Sequence, residues 1–243
     1  MKKILHLVLI LVLCQFIFGK QVSNKDLGLV GLWHLNEGFN TYTRDEISNK
    51  YGVITGASWV TGKYSKCLYF DGIDDKVTLD SINDLPSGNS KRTITVWFNT
   101  PEFTSNWQQR PLFSYGATSN YSMFTISLWS TDTAELRRIR LDCYNAGCNW
   151  EIQFPLNSWN FLVITYDGTN ATMYLNVTSS YTANPGTVNT NLTGGLKYIG
   201  YSSWLGSYYY HKGYIDEIAV YNRVLSIGEI KNLYREGRAK LIN

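Results

Sequence analysis

Residues 213–230 read GYIDEIAVYNRVLSIGEI, and the two halves of this stretch demand different backbones. Over 214–221 β-branched and aromatic residues dominate, and Ile218 and Val220 alternate with their neighbours as in a half-buried strand. Ser226-Ile-Gly-Glu229 is then a capping box, the serine oxygen serving an orphan amide while the glutamate reaches back. Ile227, Ile230, Leu233 and Tyr234 follow at helical spacing, and Gly237 supplies the stop. A strand leading into one short helix therefore closes the chain.

The same strand signature recurs upstream. It appears in LVGLWHL (29–35), KVTL (76–79), RTITVWFN (92–99), SMFTISLW (122–129) and LRRIRLD (136–142). It returns in WEIQF (150–154), WNFLVITYD (159–167), ATMYLNV (171–177) and LKYIGY (196–201). Clusters of Gly, Asn, Asp and Ser separate these runs, and Asp167-Gly-Thr-Asn170 is a hairpin turn signal. Many strands without interleaved helices predict an all-β fold, two antiparallel sheets packed as a sandwich, with the helix covering an open end. No repeat or biased linker divides residues 20–243, which read as one domain.

Residues 1–19, MKKILHLVLILVLCQFIFG, have the layout of a secretory signal peptide, with Lys2 and Lys3 ahead of an apolar stretch and Gly19 at its end. Nothing later is apolar for long enough to cross a bilayer, so the expected product is exported and carries no membrane span. The chain holds 22 Lys and Arg against 19 Asp and Glu, two of the bases in the leader. A near-neutral remainder without a basic tract argues against nucleic acid as partner. The roughly 220 residues that follow the leader suffice for one large core.

Three cysteines follow the leader. Cys143 and Cys148 flank YNAG between alternating runs, which predicts a hairpin-end disulfide in an oxidising compartment. Cys67 is left as a buried small hydrophobe. His34 and His211 are the histidines beyond the leader, each read as a core or surface residue, which leaves no triad and no zinc set.

Several segments together resemble the laminin-G-like, concanavalin-A-like jelly-roll domains. They are LVGLWHLNEGFN, GKYSKCLYFDGIDDKV (62–77), TITVWF (93–98), WNFLVITYDGT (159–169) and the opening GYIDEIAVYNRVLSIGEI, in order over about 29–236. The resemblance implies a jelly-roll sandwich that serves recognition or catalysis in different members. It makes FDGIDD a turn between adjacent strands, with Asp71, Asp74 and Asp75 at an edge. A Ca²⁺ held at that turn, with Asp71 among its ligands, is the alternative to a plain turn, and the resemblance equally implies a structural Ca²⁺ between the first and last strands, with Asp216, Asn36 and Glu37 as candidate ligands. Asp216 shares parity with Ile218 and Val220, so its carboxylate is expected inside, bonded to loop amides or to the cation.

Acids crowded on a turn do not make a catalytic pair, and no acidic triplet lines a central strand, so a non-catalytic module is expected. Eight Trp, eighteen Tyr and ten Phe exceed what the core needs. The loop SSWLGSYYYHKGY (202–214) gathers Trp204, Tyr208, Tyr209 and Tyr210, with Trp107 and Trp150 as further candidates; exposed rings stack on sugar C–H faces. Trp97 and Trp159 fall on apolar phases and are expected in the core. Sequons stand at Asn120, Asn170, Asn176 and Asn191. The expected partner is a carbohydrate or glycoprotein bound through edge loops. An adhesion domain that binds protein is the alternative, and a glycoside hydrolase or lyase the third reading.

Overall fold

The computed structural model describes residues 27–79, 84–104, 107–131, 136–205 and 209–237. The leader and Tyr208 lie outside the described residues. Two eight-stranded antiparallel sheets face each other. The first holds β1 (Leu29–Trp33), β4 (Ser58–Thr61), β5 (Lys66–Asp71), β7 (Arg92–Asn99), β12 (Asn160–Tyr166), β13 (Ala171–Leu175), β14 (Ser179–Ala183) and β16 (Lys212–Tyr221). The second holds β2 (Tyr42–Arg44), β3 (Tyr51–Thr55), β6 (Lys76–Thr78), β8 (Gln109–Gly116), β9 (Met123–Ser130), β10 (Arg137–Asp142), β11 (Gly147–Glu151) and β15 (Leu196–Ile199). Strand order is β14-β13-β12-β7-β16-β5-β4, with β1 also on β16, against β11-β10-β9-β8-β15-β6-β3-β2.

The alternation of β7 explains why it is buried on both faces. Ile94, Val96 and Phe98 enter the main core between the sheets, with Phe113, Ile126 and Ile164. Trp97 points the other way, into a second apolar cluster with Phe161, Ala219, Leu225 and Ile230. The helix α1 (Ile227–Glu236) closes that cluster, so it lies on the outer face of the first sheet and not over an open end as its place in the sequence led us to expect. Its cap is as read: Ser226 Oγ accepts the Glu229 amide and Gly237 ends the helix at φ 85°. Trp159 is only half-buried at the rim of this cluster, next to Tyr214, and is not a core residue.

Asp71-Gly72 does form the expected turn: Asp71 Oδ1 accepts the Ile73 amide at 2.7 Å and Gly72 takes φ 86°. The turn joins β5 of one sheet to β6 of the other, so it is a corner between layers and not a hairpin of neighbouring strands. β8 carries Pro111 inside a central strand. The bulge between Pro111 and Phe113 absorbs it, because a proline has no N–H for the ladder.

Cys143 and Cys148 do not face each other. Cys148 is opposite Leu141, while the Cys143 amide donates to Ala146 O across a turn with Tyr144 at φ 54° and Asn145 at φ 59°. Both thiols are free, as is buried Cys67. The tight two-residue turn pairs Cys143 with Ala146, so each cysteine's partner lies two residues from the one expected from spacing.

Candidate functional site

The outer face of the second sheet carries the side chains that the main core rejects. On β9, Phe124, Ile126 and Leu128 turn inward, so Thr125, Ser127 and Trp129 turn outward. Register then places Gln109 and Arg138 beside Trp129, Pro111 and Arg140 beside Ser127, and Ser114 and Asp142 beside Thr125. The β8–β9 pairing runs on beyond the strand ends, where the Trp107 amide donates to Thr131 O at 3.3 Å. Trp107 thus joins the same face, 51% exposed, its ring 5.6 Å from that of Trp129. It is held at φ 62°, a left-handed conformation that costs a bulky residue about 1–3 kcal/mol and is concentrated at functional positions.

Beside these rings lies a buried polar layer with fixed geometry, rimmed by the part-exposed side chains of Arg138 and Arg140. Gln109 Nε2 donates to Ser127 Oγ (2.7 Å) and Asp142 Oδ2 (3.1 Å). Arg140 donates through Nη2 to Asp142 Oδ1 at 2.9 Å and through Nε to Asp142 Oδ2. Its guanidinium sits 4.9 Å from the Trp129 ring, with that of Arg138 at 5.5 Å. A wall stands on the β15 side: Ser114 Oγ donates to Tyr201 O (2.9 Å), and Thr125 Oγ1 meets Ser202 Oγ at 3.2 Å. At the far end Trp204 packs on Tyr144, with ring centroids 4.4 Å apart.

The structure therefore brings Trp107 and Trp204 to opposite ends of one polar layer. Tyr210 stacks on Tyr201 at 4.7 Å, over β15 and β6, with Tyr209 half-buried beside it; both stand on the other side of the wall. Trp150 is buried in the main core and is no ligand residue, because it shares the parity of Phe154. Trp129, Arg138, Arg140, Asp142 and Gln109 escaped the sequence reading. Trp129, Arg138, Arg140 and Asp142 occupy the polar phase of their strands, a signal that was there to be used.

The residues read as cation ligands each accept backbone amides through one carboxylate or amide oxygen. Asp216 Oδ2 accepts the amides of Lys63 (2.9 Å) and Tyr64 (3.2 Å), Asn36 Oδ1 that of Lys66 (3.2 Å), and Glu37 Oε1 that of Arg44 (2.7 Å). Asp216 is buried as expected, but on the face of Trp97 and not with Ile218 and Val220. The bulge between Asp216 and Ala219, with Glu217 at φ 50°, reverses the alternation. Burial, then the neighbouring Glu217 charge, pushes the Asp216 carboxyl up to about 8. Glu217 Oε2 meets His34 Nδ1 at 2.5 Å, and His211 is fully buried. Asp71, Asp74 and Asp75 place carboxylate oxygens within 4.8 Å of one another, but Asp71 and Asp75 already accept turn amides.

Among the sequons, Asn120 and Asn191 are exposed and Asn170 is half-buried. Asn176 is tied into the fold: its Oδ1 accepts the Phe161 amide at 2.8 Å.

A family described as the concanavalin A-like lectin/glucanases superfamily matches residues 71–231. No curated protein sequence matches. Among solved structures, the chain is similar to domain 4 of AbnA, an extracellular GH43 arabinanase from Geobacillus stearothermophilus, in complex with arabinotriose. The TM-score is 0.62 at 18% identity, over 85% of this chain and 98% of that one. It is also similar to the binding domain of Paraclostridial Mosquitocidal Protein 1 (TM-score 0.65, 15% identity, 86% of this chain and 52% of that one). Trypanosoma rangeli sialidase in complex with sialic acid matches at TM-score 0.62 and 16% identity, over 86% of this chain. The chain spans about a third of that sialidase, whose share covered is 33%. At these identities the likeness is one of fold.

Proposed function

The chain belongs to the concanavalin A-like lectin/glucanases superfamily, and from that premise we propose that it is a non-catalytic module that binds carbohydrate on the outer face of its second sheet. The observation that carries the reading is Trp107: a half-exposed indole in a strained backbone, backed by Trp129 and set beside the part-exposed guanidinium groups of Arg138 and Arg140. A flat apolar ring next to fixed hydrogen-bonding groups is the pairing that a sugar requires. The arabinotriose held by the AbnA domain, on the same fold, agrees with it. The reading of an exported module rests on residues 1–19.

The absence of catalysis is supported by carboxylate spacing. On β8–β11 the outward carboxylates are Asp142 and Glu151, and register sets Glu151 opposite Arg138. That puts them four strand positions apart, about 14 Å. Glycosidic bond hydrolysis needs a pair roughly 5–9.5 Å apart. Asp142 is moreover engaged on both oxygens by Arg140 and Gln109.

A pull-down on insoluble and immobilised polysaccharides tests the proposal, with Trp107→Ala as the control. Retention of wild type and loss of the variant support it; no retention on any polysaccharide, or equal retention of both, refutes it. Protein adhesion is a second reading, favoured by Tyr42, Tyr51 and Val53, which are 40%, 55% and 58% exposed on the outward face of β2 and β3.

A further inference from the structure

The opposite end of the sandwich carries a groove that the Trp107 face does not reach. It lies between Asn89, the β12–β13 turn and the loop from Asn184 to Asn189, with a volume of about 610 Å³. Small-ligand sites span roughly 300–1,000 Å³. The Asn189 amide donates to Tyr121 O at 2.8 Å, just ahead of β9, whereas Trp107 is tied to Thr131 O just past its end. The eight residues of β9 set roughly 25 Å between the two places. One sugar ring cannot touch both.

Each wall of the groove is fastened from behind. Asp167 Oδ1 accepts the amides of Thr169 (2.8 Å) and Asn170 (2.7 Å), which fixes the turn. Asn184 Oδ1 accepts the Gly186 amide at 2.7 Å, and Pro185 O accepts that of Gly147 at 2.7 Å. Gly88 and Thr190 exchange backbone bonds of 2.7 and 3.2 Å, and the buried Arg92 guanidinium bonds both residues at 2.8 Å. Tyr166 donates its hydroxyl to Asn89 Oδ1.

The groups left over are the ones that could hold a ligand. Among the described residues nothing is bonded to the Nδ2 groups of Asn89 and Asn184, or to the side chains of Asn189, Thr169 and Thr187. All five residues are exposed. None of the described residues that line the groove is charged, and its one aromatic ring, Tyr166, is 1% exposed. The groove therefore offers donors and acceptors from amides and hydroxyls, with nothing to neutralise an ion and no open ring to stack on.

Going beyond the reading of the Trp107 face, we propose that this groove is a second, independent binding site for a neutral sugar. It takes one or two rings of a glycan and holds them by hydrogen bonds to their hydroxyls. Walls fixed in advance reduce the ordering that binding would otherwise cost. Two sites roughly 25 Å apart also let one long or crowded glycan engage both at once.

The test titrates the methyl glycosides of glucose, galactose, mannose, arabinose and N-acetylglucosamine, one at a time, into the isotope-labelled full chain and follows its amide resonances. At least one should saturate with a Kd of about 1–10 mM. Its shifts should fall on the Asn89, Asn184 and Asn189 side-chain amides and on the backbone of residues 167–170 and 184–189. Asn189→Ala or Thr187→Ala should weaken that glycoside at least about fivefold in a protein that melts normally, while Trp107→Ala leaves it within about twofold. Glucuronic acid and glucosamine should bind more weakly than the best neutral glycoside. No saturation by any of the five below about 50 mM, shifts that fall elsewhere, a titration that neither variant weakens, or preference for a charged sugar would overturn the inference. Loss of the shifts in Trp107→Ala would overturn it too, by making the two sites one. Polysaccharide retention that depends on Trp107 stands or falls separately from all of these results.

Discussion

The carboxylate of Asp216 accepts the backbone N–H of Lys63 at 2.9 Å across 153 residues of chain, fastening the turn between β4 and β5 to the last strand. The contact is local in space and remote in sequence, and the acid that makes it is buried. Burial disfavours the ionised form, and the adjoining Glu217 adds to that.

Asp216 therefore makes stability depend on pH in an unusual direction. Its folded carboxyl titrates at about 8, whereas an unfolded one titrates near 3.9. Between these values the folded state holds the extra proton, so stability is full below about pH 4 and declines as pH rises towards 8. Urea denaturation across this window should show the midpoint falling for wild type and falling less for Asp216→Asn. The variant should match wild type near pH 4 and exceed it above pH 8. A deficit of the same size at both ends would mean that Asp216 acts only through its amide contacts.

Trp97 is the keystone between sheet and helix. Its ring stacks on Tyr234 at 5.6 Å with planes 15° apart, and its Nε1 donates to Gly237 O at 2.8 Å. Trp97→Ala should cost about 3–5 kcal/mol in chemical denaturation. Trp97→Phe, which keeps most of the ring and loses the bond, should cost about 1 kcal/mol from that bond. An unmoved midpoint for the alanine variant would contradict the packing of α1 on this face.

The three thiols are sheltered and unpaired. Burial pushes Cys67, Cys143 and Cys148 each up to about 12, which leaves almost no thiolate at neutral pH. The native protein should resist iodoacetamide at pH 8, and the denatured, unreduced chain should yield three reactive thiols after residue 19. A single thiol on denaturation would establish the Cys143–Cys148 bridge that the hairpin register does not provide.

How far the sequence could be read depended on whether a residue's environment lay within its own strand. Ser226, Glu229 and Gly237 define their helix through contacts a few residues long, and the helix is as expected. The burial of Asp216 was equally legible, since an acid set among β-branched residues has little else to do. Its direction was not, because the bulge at Glu217 uses no glycine and leaves no trace in the alternation. Trp150, beside Cys148, is a core residue and not a ligand residue, and its parity with Phe154 is the local sign of that. Trp129 was the converse, an indole on the polar phase with Thr125 and Ser127. Only strand pairing, which is long-range and unwritten in any one segment, brings Trp107 to its side and Arg138 and Arg140 across its ring. The same holds for Trp204 and Tyr144, sixty residues apart in the chain and in contact.

The most direct test of the account is the affinity of Trp107→Ala for a polysaccharide that retains the wild type, measured alongside its melting temperature. The exposed indole contributes little to the core, and alanine keeps the Cβ that strains the left-handed backbone, so the variant should melt within a few degrees of wild type. Its affinity should fall by at least about thirtyfold, the loss of a residue worth about 2 kcal/mol in binding. An unchanged affinity in a protein that melts normally would show that this face is not where carbohydrate is bound.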